Sequence, residues 1–186
     1  MTKPAPHRII FANEKGGTGK STCAVHFAVA LASMGWRVAG IDLDPRQRTF
    51  HRYLDNRTST AKRRGIELPI PHFEVFEGST VEELDEQVAR LAEDADYLIA
   101  DTPGRDDPFA RHIATSADTL VTPINDSFID FDLIGQVDPE TFQVVRPSFY
   151  SELIWDTRKA RAKTDGGSVD WVVLRNRLSS LAAKNM

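Results

Sequence analysis

Asn13-Glu14-Lys15-Gly16-Gly17-Thr18-Gly19-Lys20-Ser21-Thr22 stands between a short apolar segment, His7 to Ala12, and a longer one at helical spacing, Ser21 to about Met34. Strand, glycine-rich loop, Lys-Ser-Thr and helix in this order are the context that a phosphate-binding loop needs. Gly16, Gly17 and Gly19 permit backbone angles and a close approach that a Cβ would forbid. Successive N–H groups, Thr18 among them, can then converge on phosphate oxygens at a helix N-terminus. Lys20 supplies a point charge to the β- and γ-phosphates, the Ser21 hydroxyl is placed to bind Mg²⁺, and Thr22 follows one residue deeper. The competing reading is a glycine-rich turn that happens to contain a lysine. This chemistry serves a nucleoside triphosphate with Mg²⁺.

Outward from the loop, apolar segments rich in Val and Ile alternate with segments at helical spacing, which predicts an α/β fold with a mostly parallel central sheet flanked by helices on both faces. Predicted strands are His7 to Ala12, Arg37 to Asp42, His72 to Phe76, Asp96 to Asp101, Thr119 to Ile124 and Trp171 to Leu174, most of them apolar enough to be buried on both faces. The clearest helix follows Ser79, where Val81, Leu84, Val88, Leu91 and Ala95 form one stripe. Ser79 with Glu82, or Thr80 with Glu83, supplies its capping box. Gly35 is placed to end the first helix in the left-handed conformation. Further helices are predicted near Phe109 to Ser116 and Ser151 to Lys163.

In such a sheet the carboxyl ends of neighbouring strands line one crevice. Ile41-Asp42-Leu43-Asp44 and Tyr97-Leu98-Ile99-Ala100-Asp101 therefore bring Asp42, Asp44 and Asp101 to the rim beside the loop. Asp101, after a four-residue apolar run, suits the holding of Mg²⁺ or its water, and Gly104 can offer an N–H to the γ-phosphate. Asn176 has the donor and acceptor that an adenine edge requires, and is equally readable as a loop amide without a ligand.

The chain has 186 residues, 41% of them hydrophobic and 27% charged, which fits one globular domain over 1–186. The formal charge of -4 excludes a global basic field. Charge is nevertheless segregated. Glu74 to Asp107 holds twelve acids and two bases, whereas Arg46, Arg48, Arg52, Arg57, Lys62, Arg63 and Arg64 face only Asp55 between Pro45 and Gly65. That stretch, and a smaller cluster of Arg158, Lys159, Arg161 and Lys163, reads either as a phosphate contact or as a solvated helix face. No apolar run is long enough to span a membrane and the N-terminus lacks a secretory core, so a cytoplasmic protein is expected. Ser179 to Met186 reads as the opening of a helix without a terminator, so the domain is expected to lack C-terminal elements.

The position of the ordinary loop's first glycine carries Glu14, with Lys15 beside the glycine pair, and this deviant KGGTGKST resembles the ParA/MinD class of P-loop ATPases. The resemblance implies that Lys15 reaches across a homodimer to the partner's nucleotide. It also implies that Asp42 supports the metal shell, that Asp44 orients the attacking water, and that Asn176 reads adenine. Beyond the loop, IDLDPRQRT, ELPIP, TPINDSFIDFDLIGQVDP, RPSFYSELIW and DWVVLRNRL are similar to the MipZ-type division-plane positioning ATPases over nearly the whole chain. That likeness implies an ATP-sandwich dimer timed by slow hydrolysis, non-specific binding to chromosomal DNA, a ParB-like centromere-binding partner and inhibition of FtsZ assembly, with a nucleoid-associated or polar location. A ParA-type partition ATPase is the alternative. An iron–sulfur electron carrier with the same loop needs two cysteines per subunit, and only Cys23 exists. An inactive ATP-holding scaffold would keep the loop without a working Asp44.

Overall fold

A computed structural model describes residues 4–125, 133, 135–138, 140–141 and 143–177. The elements run β1 (His7–Phe11), α1 (Lys20–Ser33), β2 (Val38–Asp42), α2 (Thr49–Arg64), β3 (His72–Val75), α3 (Val81–Ala92), β4 (Tyr97–Asp101), α4 (Pro108–Thr115), β5 (Thr119–Asn125), β6 (Gly135–Val137), β7 (Val144–Pro147), α5 (Phe149–Asp165) and β8 (Asp170–Asn176). Six strands form one sheet in the order β3-β2-β4-β1-β5-β8, with every pairing parallel.

Alternation along each strand splits the core in two. Ile10, Leu98 and Leu120 pack with Leu84, Val88 and Leu91 of α3, Ile113 of α4 and Ile154 of α5. Their sequence neighbours Ile9, Phe11, Ile99 and Val121 turn the other way, onto Ala24, Val25 and Ala28 of α1 and Phe50 and Leu54 of α2. Helices therefore cover both faces, as the alternating pattern requires. α3 starts on Thr80, whose hydroxyl accepts from the Glu83 N–H while the Glu83 carboxylate accepts from the N–H groups of Thr80 and Ser79. Gly35 follows α1 at φ +88°.

Three features depart from the sequence expectation. Residues 49–64, read as a phosphate contact or a solvated helix face without bounds as a helix, form α2, anchored by Phe50, Leu54 and Ala61 and closed by Gly65 in the left-handed region. An antiparallel pair, β6 with β7, lies apart from the main sheet and was not foreseen. β8 is an edge strand whose Val172, Val173 and Leu174 stay 38 to 43% exposed among the described residues. Its apolar run reads like a strand buried on both faces, yet on the side of α1 it borders an open trough shared with Phe27, Leu31 and Val121. The expected helical opening at Ser179 to Met186 lies outside the described residues. No helix among the described residues is long and apolar enough to cross a membrane.

Candidate functional site

The loop from β1 to α1 sits at the carboxyl edge of the sheet. β1 lies between β4 and β5, where connections to the left and to the right diverge, so loops from both sides flank a crevice there. Asn13 anchors the first turn: its Nδ2 donates to the Pro123 carbonyl at 2.7 Å and its Oδ1 accepts from the Lys15 N–H at 2.8 Å. Gly17 and Gly19 have φ of +77° and +88°, a region where L side chains are strained. Gly16 does not share that backbone, and a Cβ there would meet nothing within 4 Å. The close approach lies opposite it instead, because a Cβ on Gly104 would stand 3.1 Å from the Gly16 Cα and 3.3 Å from Lys20 Nζ. The requirement read for three glycines is thus divided, torsion at Gly17, torsion and contact together at Gly19, and contact at Gly104.

Lys20 is buried and its Nζ donates to the Lys15 carbonyl at 3.0 Å, so the loop curls around its own cation. Burial lowers the Lys20 pKa, against the opposing pull of Asp101 and Asp44. Gly16, Gly17, Gly19, Lys20, Ser21, Thr22, Asp44 and Gly104 line one cleft, together with Gln47, Thr49, Thr102 and Arg177.

The register sets Asp42 directly beside Asp101, and both are almost fully buried. Asp42 is engaged by backbone, Oδ1 accepting from the Asp44 N–H at 2.9 Å and Oδ2 from the His51 N–H at 3.1 Å. Asp44 accepts from the N–H groups of Arg46 and Gln47 through Oδ1, each at 3.2 Å, and its Oδ2 lies 3.8 Å from the Arg105 guanidinium. Asp101 reaches the cleft through a hydrogen bond with Ser21, and its Oδ1 is buried without a partner among the described residues. Burial, reinforced by Asp42 and Asp44, pushes the Asp101 carboxyl up to about 7 against the favourable bond from Ser21 and the charge of Lys20. Burial also raises Asp42.

A divalent cation fits this set, because it would satisfy the orphaned Asp101 oxygen and relieve the crowding of three buried acids. Among the described residues no three His, Cys, Asp or Glu side chains converge as a metal cage. Mg²⁺ does not need one, since it is commonly held by one or two carboxylates with water and substrate phosphates.

Asn176 lies where β8 reaches the loop, its Nδ2 donating to the Thr18 carbonyl at 2.9 Å. A Cβ on Gly19 would collide with that same amide nitrogen. Sequence reasoning missed Arg105 and Arg177 as neighbours of the site. Arg105 follows Gly104 directly and is one of two bases in an acidic stretch, a signal that was available. Arg177 owes its place on the cleft wall to a left-handed backbone, φ +50°, which no residue type announces.

The family model described as ATPase MipZ matches residues 7–186. The chain belongs to the MipZ family. It is 31% identical over 145 residues to an uncharacterized ATP-binding protein of Methanocaldococcus jannaschii, a match covering 66% of this chain and 55% of that protein. It is 49% identical over 45 residues to the chromosome-partitioning ATPase Soj of Thermus thermophilus, covering 24% of this chain and 18% of Soj. This MipZ-family chain therefore spans about half the length, or less, of those relatives. Among solved structures, a plasmid partition protein from Borrelia burgdorferi superposes with TM-score 0.62 at 15% identity over 96% of this chain and 81% of that one. The MinD cell division protein of Aquifex aeolicus gives 0.58 at 16%, over 93% and 70%. At those identities the likeness is one of fold alone, the six-stranded parallel sheet flanked by helices being shared with these two proteins.

Proposed function

We propose that this MipZ-family chain is an ATPase that dimerises on ATP and acts as a spatial regulator of cell division, with slow hydrolysis timing the dimer. The buried Asp101, hydrogen-bonded to Ser21 beside Lys20 of the loop, carries the reading. Loop N–H groups from Gly16 to Thr22 grip the phosphates, Lys20 neutralises them, and Gly104 offers an N–H to the γ-phosphate. Mg²⁺, held by Ser21 and Asp101 with Asp42 bracing the shell, would supply charge neutralisation at the β- and γ-oxygens. Asp44 orients the attacking water. Lys15 enters the neighbouring protomer's site, which makes turnover conditional on assembly. Asn176 gives its Nδ2 to the loop and keeps its Oδ1 for an adenine amino group.

Sedimentation with ADP and with a non-hydrolysable ATP analogue tests the core of this reading. A shift from monomer to dimer only with the analogue is expected, and Lys15→Ala should bind nucleotide yet stay monomeric. A dimer unchanged by Lys15→Ala would remove that residue from its role. Asp44→Ala should abolish turnover, and turnover equal to the unmodified chain would favour an inactive scaffold.

The cellular partners proposed are FtsZ, a ParB-like centromere-binding protein and non-specific chromosomal DNA, with a cytoplasmic, nucleoid-associated or polar location. The likeness to Soj and to the Borrelia protein favours one second reading, a ParA-type partition ATPase. FtsZ polymerisation followed with ATP present separates them, and no effect on assembly would leave the partition reading.

A further inference from the structure

Between β1 and β5 the backbone ladder stops one bond short of the phosphate loop. The register pairs Ile9 with Thr119, Ile10 with Leu120 and Phe11 with Val121, and the Ala12 N–H continues it by donating to the Val121 carbonyl at 3.0 Å. In a parallel ladder the Ala12 carbonyl would next accept from the N–H of residue 123. Residue 123 is proline, which has no N–H. β5 is an interior strand, between β1 and β8, where proline is ordinarily avoided for this reason. The ladder therefore lacks a donor at the peptide from which the loop springs.

Tyr150 supplies one. Its hydroxyl donates to the Ala12 carbonyl at 3.0 Å and stands 3.1 Å from Thr122 Oγ1, which accepts from Trp171 Nε1 at 3.0 Å. An indole N–H can only donate, so the protons run one way, from Trp171 to Thr122 to Tyr150 to Ala12. Both hydroxyls are buried, and each both accepts and donates, which offsets its desolvation. Burial, against the pull of Thr122 and with the charge of Glu14, pushes the Tyr150 pKa up to about 12, so the hydroxyl keeps the proton it donates. Tyr150 lies in the first turn of α5, which Ser148 caps by accepting from the Ser151 N–H at 3.0 Å. Packing alone would not select a tyrosine: the ring meets Trp171 edge-on, centroids 6.5 Å apart, and phenylalanine would fill that place without a hydroxyl to desolvate. The next group of the ladder, the Pro123 carbonyl, likewise accepts from a side chain, the Asn13 amide at 2.7 Å. Two side-chain bonds thus stand where the main-chain ladder breaks off.

We propose that Tyr150 is a positioning residue of the nucleotide site, its hydroxyl replacing the ladder donor that Pro123 lacks and fixing the Ala12–Asn13 peptide at the root of the phosphate loop. The consequence for nucleotide rests on the ATPase reading, whereas the placement rests on the ladder alone. Titration of the full chain with a fluorescent ATP analogue and Mg²⁺, alongside hydrogen exchange of the loop amides, tests it. Tyr150→Phe should weaken analogue binding roughly 3- to 10-fold, the span expected for one buried hydrogen bond, and should speed exchange at the Lys15 N–H, which Asn13 holds. Adding Pro123→Ala to that variant returns an N–H opposite the same carbonyl, and should recover both binding and protection. A side chain that served only packing would not be rescued in this way. Thr122→Val leaves the bond to Ala12 in place and should lose less than Tyr150→Phe. Parent-like binding and exchange in Tyr150→Phe, or a loss that Pro123→Ala does not recover, would overturn the proposal. Were Tyr150→Phe too unstable to titrate, a folded double variant with Pro123→Ala would still carry the proposal, and an unfolded one would refute it. Failure of the parent to bind the analogue, with the exchange pattern as stated, would sink the nucleotide reading and leave Tyr150 at the root of the loop.

Discussion

Two glycines with the same torsion separate two kinds of constraint. Gly19 and Gly35 both have φ +88°, but a Cβ on Gly35 meets nothing within 4 Å whereas one on Gly19 runs into Asn176. Gly35→Ala should therefore cost only the torsional term, about 1 to 2 kcal/mol. Gly19→Ala should cost more in thermal unfolding and also weaken nucleotide binding, because it displaces the amide that holds the Thr18 carbonyl. Adding Asn176→Ala should recover the collision part and not the torsional part. Equal losses for the two single variants would mean that Asn176 yields freely. Residue types made the loop itself readable, since Lys20, Ser21 and the glycines declare their chemistry locally. The Asn176 contact was not readable, because it joins positions 158 apart at Thr18 and depends on which strand ends next to the loop.

At the scale of elements, α2 docks where β2 lacks a side chain. A Cβ on Gly40 would lie 2.6 Å from the ring of fully buried Phe50. Gly40→Ala should destabilise by about 1 to 3 kcal/mol, with Phe50→Leu losing less in the Gly40→Ala background than in the parent. Additive losses in denaturant melts would show that the ring moves aside. α2 was read from the sequence only as one of two alternatives for a basic stretch, with no bounds, because Phe50, Leu54 and Ala61 alone are its buried positions while its surface is crowded with charge, so the apolar stripe is sparse. α3 was plain because its stripe is full and its cap is a residue pattern. Between β3 and α3, Glu74 accepts from Arg90 at 2.7 and 2.8 Å and from Gln87 at 2.7 Å, and the Arg90 guanidinium first, then Gln87, hold its carboxyl down at about 2. A depressed carboxyl stabilises the fold above its unfolded value of 4.5 and loses that contribution as pH falls towards 2. Glu74→Gln should melt below the parent at pH 7, with the gap closing between about pH 4.5 and 2. A gap independent of pH would assign Glu74 no electrostatic part.

Across the whole molecule, protection should follow position in the sheet. β4 and β1 are flanked by strands on both edges and by helices on both faces, whereas β8 closes one edge with its apolar side chains partly bare. Hydrogen exchange is expected to be slowest in β1 and β4 and fastest, among the six strands, in β8. Equally slow exchange in β8 would show that its outer edge is covered. The sheet was legible because parallel strands repeat an apolar pattern, but the bareness of Val172 to Leu174 was not, since an apolar run reads alike whether or not something lies on it. The bond from Asn176 to Thr18 also orders events during synthesis. It spans 158 residues, so at about 5 to 20 residues per second the ribosome delivers the amide about 8 to 30 s after the loop it steadies. A nascent chain thus carries an unfinished cradle until β8 emerges, and the loop waits for a strand that is made well after it.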